Sequence, residues 1–219
     1  MLDRLNNILS DPAQLLIVPA ALLAIMLHEI CHGLAAYRLG DRTAKERGRL
    51  SLNPIRHIDV IGLLMLVVAG FGWAKPVPVD MRYFKNPRRD FAIVALAGPV
   101  SNFLQALVGY LVYIALWLAK LNTALPDLFL NYYIMLNIGL GVFNLIPVPP
   151  LDGSKIVGAV IPDRYYYPIL RYERYGMFLL MILLFTGVLD VPLGFLRSNV
   201  SEGIFWLARQ PFLLFGAVL

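Results

Sequence analysis

The chain has a single cysteine, Cys31, which excludes an intrachain disulfide and leaves the redox compartment unassigned. It has only three histidines, and charged residues make up just 15% of it. Between Leu15 and Tyr37 there is no Lys or Arg, and Glu29 is the only acid. No internal repeat and no low-complexity segment is present. No secretory leader is expected, because the first apolar run is too long for an h-region and carries the residues that look chemical. What the chain has instead is apolar bulk: 59% hydrophobic residues and a mean hydropathy of +0.69. That composition excludes an ordinary soluble domain and fits a polytopic membrane protein. The net charge of +5 sits in loops, so it reports orientation rather than a nucleic-acid partner.

Inside the first apolar run stands His28-Glu29-Ile30-Cys31-His32. At about 1.5 Å per residue the run reaches roughly 35 Å, enough to cross a bilayer. His28 and His32 are four residues apart, so a helix puts both imidazoles on one face. Glu29 stands about 100° around the helix, within reach of a water on a metal held by both histidines. This is the H-E-x-x-H zinc arrangement with Glu as general base. The competing reading is a polar cluster that glues helices together. Ionisable groups at membrane depth are costly, which favours a functional site. Cys31 could add a thiolate; small apolar packing is the favoured reading.

Read in order, Asp11-Pro12 marks a helix start, followed by a first span over Leu15–Tyr37. Residues 38–57 form a basic loop, expected to be cytoplasmic. Ile58–Gly72 is apolar but short, and residues 73–90 are basic again, so the segment is expected to enter the membrane and return. Trp73–Phe84, with Pro76 and Pro78, reads as an exposed extended edge. Further spans are expected over Phe91–Ala119, Leu128–Ile146 and Tyr175–Val191. Glu202–Leu219 reads as a last short span or an interfacial helix.

A catalytic zinc takes three protein ligands and leaves a position for water. The remaining histidine, His57, lies in the basic loop, where local hydrogen bonding is preferred over a gating role. Asp152 is the better third ligand. It follows Pro147-Val148-Pro149-Pro150, which ends a span at the membrane level where His28 and His32 are expected. Asp152-Gly153 is also an ordinary turn signal, a reading outweighed by the need for an acid at this depth. Asn102, one turn into its span, is either a packing amide or a donor facing the site.

His28-Glu29-x-x-His32, the Gly98-Pro99 span and Asn144-x-x-Pro147-x-Pro149-Pro150-Leu151-Asp152-Gly153 together resemble the site-2 protease family of intramembrane zinc metalloproteases. The resemblance implies one Zn2+ per chain, held by His28, His32 and Asp152, with Glu29 activating water. It implies that Asn144 helps hold substrate backbone, and that Gly70-x-Gly72 lies in a re-entrant β-like loop whose edge pairs with substrate. Some members carry a PDZ or nucleotide-sensing domain; neither fits within 219 residues, so a minimal form is expected.

The expected fold is an all-α polytopic membrane protein. It has a three-helix catalytic core with a re-entrant β-like loop and one or two further C-terminal helices. The expected organisation is a single domain over residues 1–219, with its core at about 15–160 and its C-terminal helices at about 161–219. The expected function is hydrolysis of a peptide bond in or near a transmembrane segment of a membrane protein. The expected setting is the lipid bilayer of a prokaryotic cell membrane, with the site toward the cytoplasm and no nucleic-acid partner. The alternatives are a divalent-metal transporter using the same three ligands, and a non-catalytic scaffold that binds membrane helices.

Overall fold

The computed structural model describes residues 11–69, 75–162, 175–214 and 216. Asp11 accepts a hydrogen bond from the Ala13 amide and, with Pro12 at the first position, opens a 3-10 turn over Pro12–Leu16. This runs into α1, Ile17–Arg38, which stops at Gly40, a residue in the left-handed region at φ 111°. After a basic loop come α2 (Val60–Ala69), α3 (Pro87–Leu118), α4 (Ala124–Asn144) and α5 (Asp152–Val160). Two further helices follow, α6 (Tyr175–Phe185) and α7 (Asp190–Leu214).

α3 is the hub and packs against α1, α4, α5 and α7. Its two faces are inverted relative to a soluble helix. The buried face carries Gly98, Ser101, Asn102, Gln105 and Gly109, whereas Leu104, Val108 and Val112 are 42–57% exposed. Apolar side chains turned outward at helical spacing are what lipid requires. The Ala13–Arg38 and Pro87–Leu118 segments are each long and apolar enough to cross a membrane. Apolar clusters fill the joints: Ala106, Ile134, Ile138, Val142, Leu193 and Ile204 between α3, α4 and α7, and Ala20, Ala24 and Tyr133 between α1 and α4.

The architecture is all-helical, as expected, but several boundaries differ. Among the described residues there is no strand, and the segment expected to re-enter begins as a ten-residue helix, α2. A continuous apolar run satisfies its own backbone best as a helix, and the Asp59 side chain caps it by accepting from the Gly62 amide. Gly70 and Gly72 lie outside the described residues. Of the expected extended edge, Lys75–Asp80 is non-helical and Met81–Tyr83 turns into a 3-10 helix. This segment is less open than expected, since Val77 is buried. Arg49 donates to the carbonyls of Arg56, Lys75 and Pro76, and Asp41 accepts from the Asp80 amide at 2.7 Å.

α4 covers the third expected span but ends at Asn144, ahead of the prolines; Asp127, Asn131 and Asn137 dilute its apolarity. The fourth expected span stops at Phe185, six residues early. Gly187 adopts φ 69°, and the chain turns by 87° into α7, which starts well before the expected Glu202.

If the Leu104–Val108–Val112 stripe meets lipid, Val108→Arg should cost about 2.5–3.5 kcal/mol in membrane insertion. The expected readout is a fall in the membrane-integrated fraction. Unchanged integration would show that this face is not in lipid.

Candidate metal centre

Two elements far apart in sequence bring three side chains that could hold a metal to one point. α1 supplies His28 and His32 one turn apart, and both are buried. Asp152 is the first residue of α5 and is also buried. Its Oδ2 lies 3.3 Å from His28 Nε2 and 3.2 Å from His32 Nε2, and the two Nε2 atoms are 2.9 Å apart. Its other oxygen, Oδ1, accepts from Lys155 Nζ at 3.3 Å.

The outer nitrogens decide what the inner ones can do. His32 Nδ1 lies 2.7 Å from the Val94 carbonyl oxygen, which can only accept. Nδ1 therefore carries the proton and Nε2 of the neutral ring presents a lone pair. His28 Nδ1 faces Asn102 Oδ1 at 2.6 Å, which gives its Nε2 the same character. Two lone pairs and a carboxylate oxygen then point at each other in a dry site. Like acceptors repel at such distances, so this arrangement calls for a cation between them.

The spacing fits a small one. Tetrahedral ligands at about 2.0–2.2 Å from a zinc ion stand roughly 3.3 Å from one another. The two nitrogen–oxygen separations match, and the nitrogen–nitrogen separation is slightly shorter. Among the described residues three protein donors cluster here, the number that a catalytic zinc takes while keeping a position for water.

Two glycines make the convergence possible. A Cβ at Gly98 would lie 2.4 Å from His32 Nε2 and 2.5 Å from His28 Cε1, so only glycine lets α3 come this close to the rings. A Cβ at Gly153 would lie 2.2 Å from the Leu145 carbonyl oxygen, so glycine there lets the start of α5 tuck against the end of α4. At the far end of α5, Arg88 of α3 donates to the carbonyls of Gly158 and Ile161. That holds α5 at both ends and favours a cation at its C-terminus.

Glu29 is half-buried, and its Oε2 accepts from the Val77 amide at 2.8 Å. Asn102 touches the centre through His28, and Asn144 is the last residue of α4, half-buried. His57 is buried elsewhere, with Nε2 2.8 Å from the Ser51 carbonyl. Cys31 is not among the three clustered ligands. Sequence reading missed Asn137 of α4, fully buried, and the Arg49 clamp. A signal for the first existed: Tyr133 and Asn137 are polar groups one turn apart in an apolar helix, as Asn102 and Gln105 are in α3.

A buried pair of histidines on a helix of membrane length, met by a carboxylate from the short helix α5, is the donor set of a metalloenzyme of the membrane. Comparison with known proteins agrees. The family model described as peptidase family M50 matches residues 119–187. The protein named "Putative zinc metalloprotease YwhC" from Bacillus subtilis (strain 168) is 40% identical over 184 residues, covering 81% of each chain. "Putative zinc metalloprotease Rip2" from Mycolicibacterium smegmatis is 27% identical over 182 residues, 80% of this chain and 69% of the relative. "Zinc metalloprotease MJ0392" from Methanocaldococcus jannaschii is 25% identical over 197 residues, 85% of this chain and 46% of the relative. No solved structure gives a significant match. The chain belongs to peptidase family M50, the site-2 protease family, and is an integral membrane zinc metalloprotease.

Gly98→Ala is expected to weaken zinc binding by about tenfold or more, because the rings must move off their shared point. Gly153→Ala should do the same through Asp152. Gly203→Ala, at a position open to space, is the control. Zinc titration against a chelator reads all three, and wild-type affinity in Gly98→Ala would show that the rings are not confined by α3.

Proposed function

We propose that the protein hydrolyses a peptide bond in or near a transmembrane segment of a membrane-protein substrate. In this reading one zinc ion per chain is held by His28, His32 and Asp152. The observation that carries it is the meeting of these three acceptors at one buried point between helices that suit a bilayer. The zinc would supply Lewis-acid stabilisation of charge on the scissile carbonyl and a nucleophilic water near neutral pH.

Glu29 is the general base. One of its oxygens is fixed by the Val77 amide, which orients the carboxylate and leaves the other oxygen to take the water proton. The same carboxylic acid then returns a proton to the leaving amine. The Val94 carbonyl and Asn102 hold the imidazoles in the tautomer that ligates. Asn144, at the end of α4, is proposed to hold substrate backbone. The basic loop over residues 38–57 supports a site on the cytoplasmic side of the membrane, and the bacterial relatives support a prokaryotic one.

A helical substrate hides its amides in internal hydrogen bonds, so it must unwind before it is cut. Lys75–Asp80 offers a non-helical backbone for pairing, with Asp80 in the extended region. The Val77 and Asp80 amides and the Lys75 and Pro76 carbonyls are already taken, so pairing falls on the stretch around Val79.

Glu29→Gln should keep zinc and lower cleavage by about 10²–10⁴-fold, whereas Asp152→Ala should lose zinc. Metal content and cleavage of a membrane-embedded substrate, measured side by side, read both. Near-normal turnover in Glu29→Gln would remove the base. Absence of zinc from all variants and from wild type would end the protease reading in favour of a helix-binding scaffold. Val79→Pro should reduce cleavage while zinc stays bound, and unchanged cleavage would remove the pairing idea.

A further inference from the structure

The wall behind His28 is a chain of side-chain amides whose orientation is fixed from one end. Asn102 of α3 and Asn137 of α4 are both fully buried. Asn137 Nδ2 lies 2.9 Å from the Tyr133 carbonyl oxygen. A backbone carbonyl only accepts, so the amide nitrogen of Asn137 must face it; the flipped amide would set oxygen against oxygen. That leaves Asn137 Oδ1 facing Asn102, whose Nδ2 donates to it at 2.8 Å. With its nitrogen committed, Asn102 turns Oδ1 toward His28 Nδ1 at 2.6 Å. An oxygen there accepts a proton and cannot give one. The imidazole therefore carries hydrogen on Nδ1 and a lone pair on Nε2, aimed at Asp152 and His32.

We infer that Asn137 is a positioning residue for the metal centre, acting through Asn102 to fix the tautomer of His28. This rests on the zinc reading above. Asn137 has no hydrogen bond to any of the three ligands. Its effect passes through one amide, and the direction of that amide is set by a main-chain carbonyl that cannot change role. His32 needs no such relay, because its own partner, the Val94 carbonyl, is already main chain. The centre thus has one histidine locked directly by backbone and one locked through two amides across two helices.

Without Asn137, nothing tells Asn102 which way to face. Its amide could turn its nitrogen to His28, which would move the imidazole proton to Nε2 and block the ligand position. Outer partners of metal-bound histidines are typically worth about 10–100-fold in affinity. Asn137→Leu is therefore expected to weaken zinc binding by that factor, measured by chelator competition on the full-length protein in detergent.

The distinguishing variant is the double change Asn102→Asp with Asn137→Leu. Both oxygens of an aspartate accept, so its orientation no longer matters and the correct tautomer returns. Zinc affinity should recover to within a few-fold of wild type. In ¹⁵N-histidine NMR of the metal-free protein at mildly alkaline pH, His28 should show the Nδ1–H form in wild type and in the double variant. It should show a mixture in Asn137→Leu. Wild-type affinity in Asn137→Leu would overturn the relay. So would a loss that the double change does not rescue, which would mean that Asn137 matters only for packing. An Nε2–H form of His28 in wild type would also overturn it. A wild-type chain that holds no zinc would sink the metal reading and the relay with it.

Discussion

Three hydrogen-bond acceptors forced together in a dry space make up the constraint on which this structure depends. Two imidazole lone pairs and a carboxylate oxygen stand within 3.3 Å of each other between α1 and α5. All three groups are buried there, and each buried charge or unpaired polar group is costly. Most of the surrounding sequence serves to keep these groups from escaping. Gly98 and Gly153 remove the atoms that would hold the helices apart. The Val94 carbonyl and Asn102 occupy the outer nitrogens so that the inner ones stay bare. Arg88 fixes the far end of the helix that carries Asp152.

The same constraint explains the polar seam between the helices. Tyr133 donates to Gln105, Asn102 to Asn137 and Asn137 to the Tyr133 carbonyl, so these buried amides lie head to tail between α3 and α4. Hydrogen bonds of this sort add modest stability between membrane helices, on the order of 1 kcal/mol each. Their greater value here is direction: an amide with one end fixed has only one face to offer at the other. Packing of apolar side chains could hold the helices equally close but could not specify a tautomer.

The Lys75–Asp80 segment shows how the chemistry is joined to the surface. Asp41 accepts from one end of it, Arg49 grips the carbonyls at the other, and the Val77 amide donates to Glu29 between them. Whatever moves this segment moves the carboxylate proposed as base. In the proposed reading, a segment that pairs with substrate and also orients the base would couple binding to readiness for reaction.

Much was legible from sequence because the membrane simplifies the code. Long apolar runs without charge must be helices, and His28, Glu29 and His32 inside one of them are too costly at that depth to be ordinary solvated groups. That Asp152 would meet the two histidines was legible from the proline break before it. Local breakers set by a single glycine were not. Phe185 ends α6 because Gly187 can adopt φ 69°, and Gly187 stands in an apolar run that reads as one span. The apolar run that reads as re-entering begins as the helix α2, since apolar composition alone does not separate a helix from a loop; Gly70 and Gly72 lie outside the described residues. Sequence by itself determined the candidate ligand types, their spacing along α1 and the membrane class, because these follow from local periodicity and solvent. Only the tertiary structure decided that Val94 and Asn102 face the two imidazoles, that Asn137 stands behind Asn102, and that Val77 holds Glu29. Those pairings join residues 35 to 74 positions apart, and a hydrogen bond's direction follows from which partner arrives, not from the residue that waits for it.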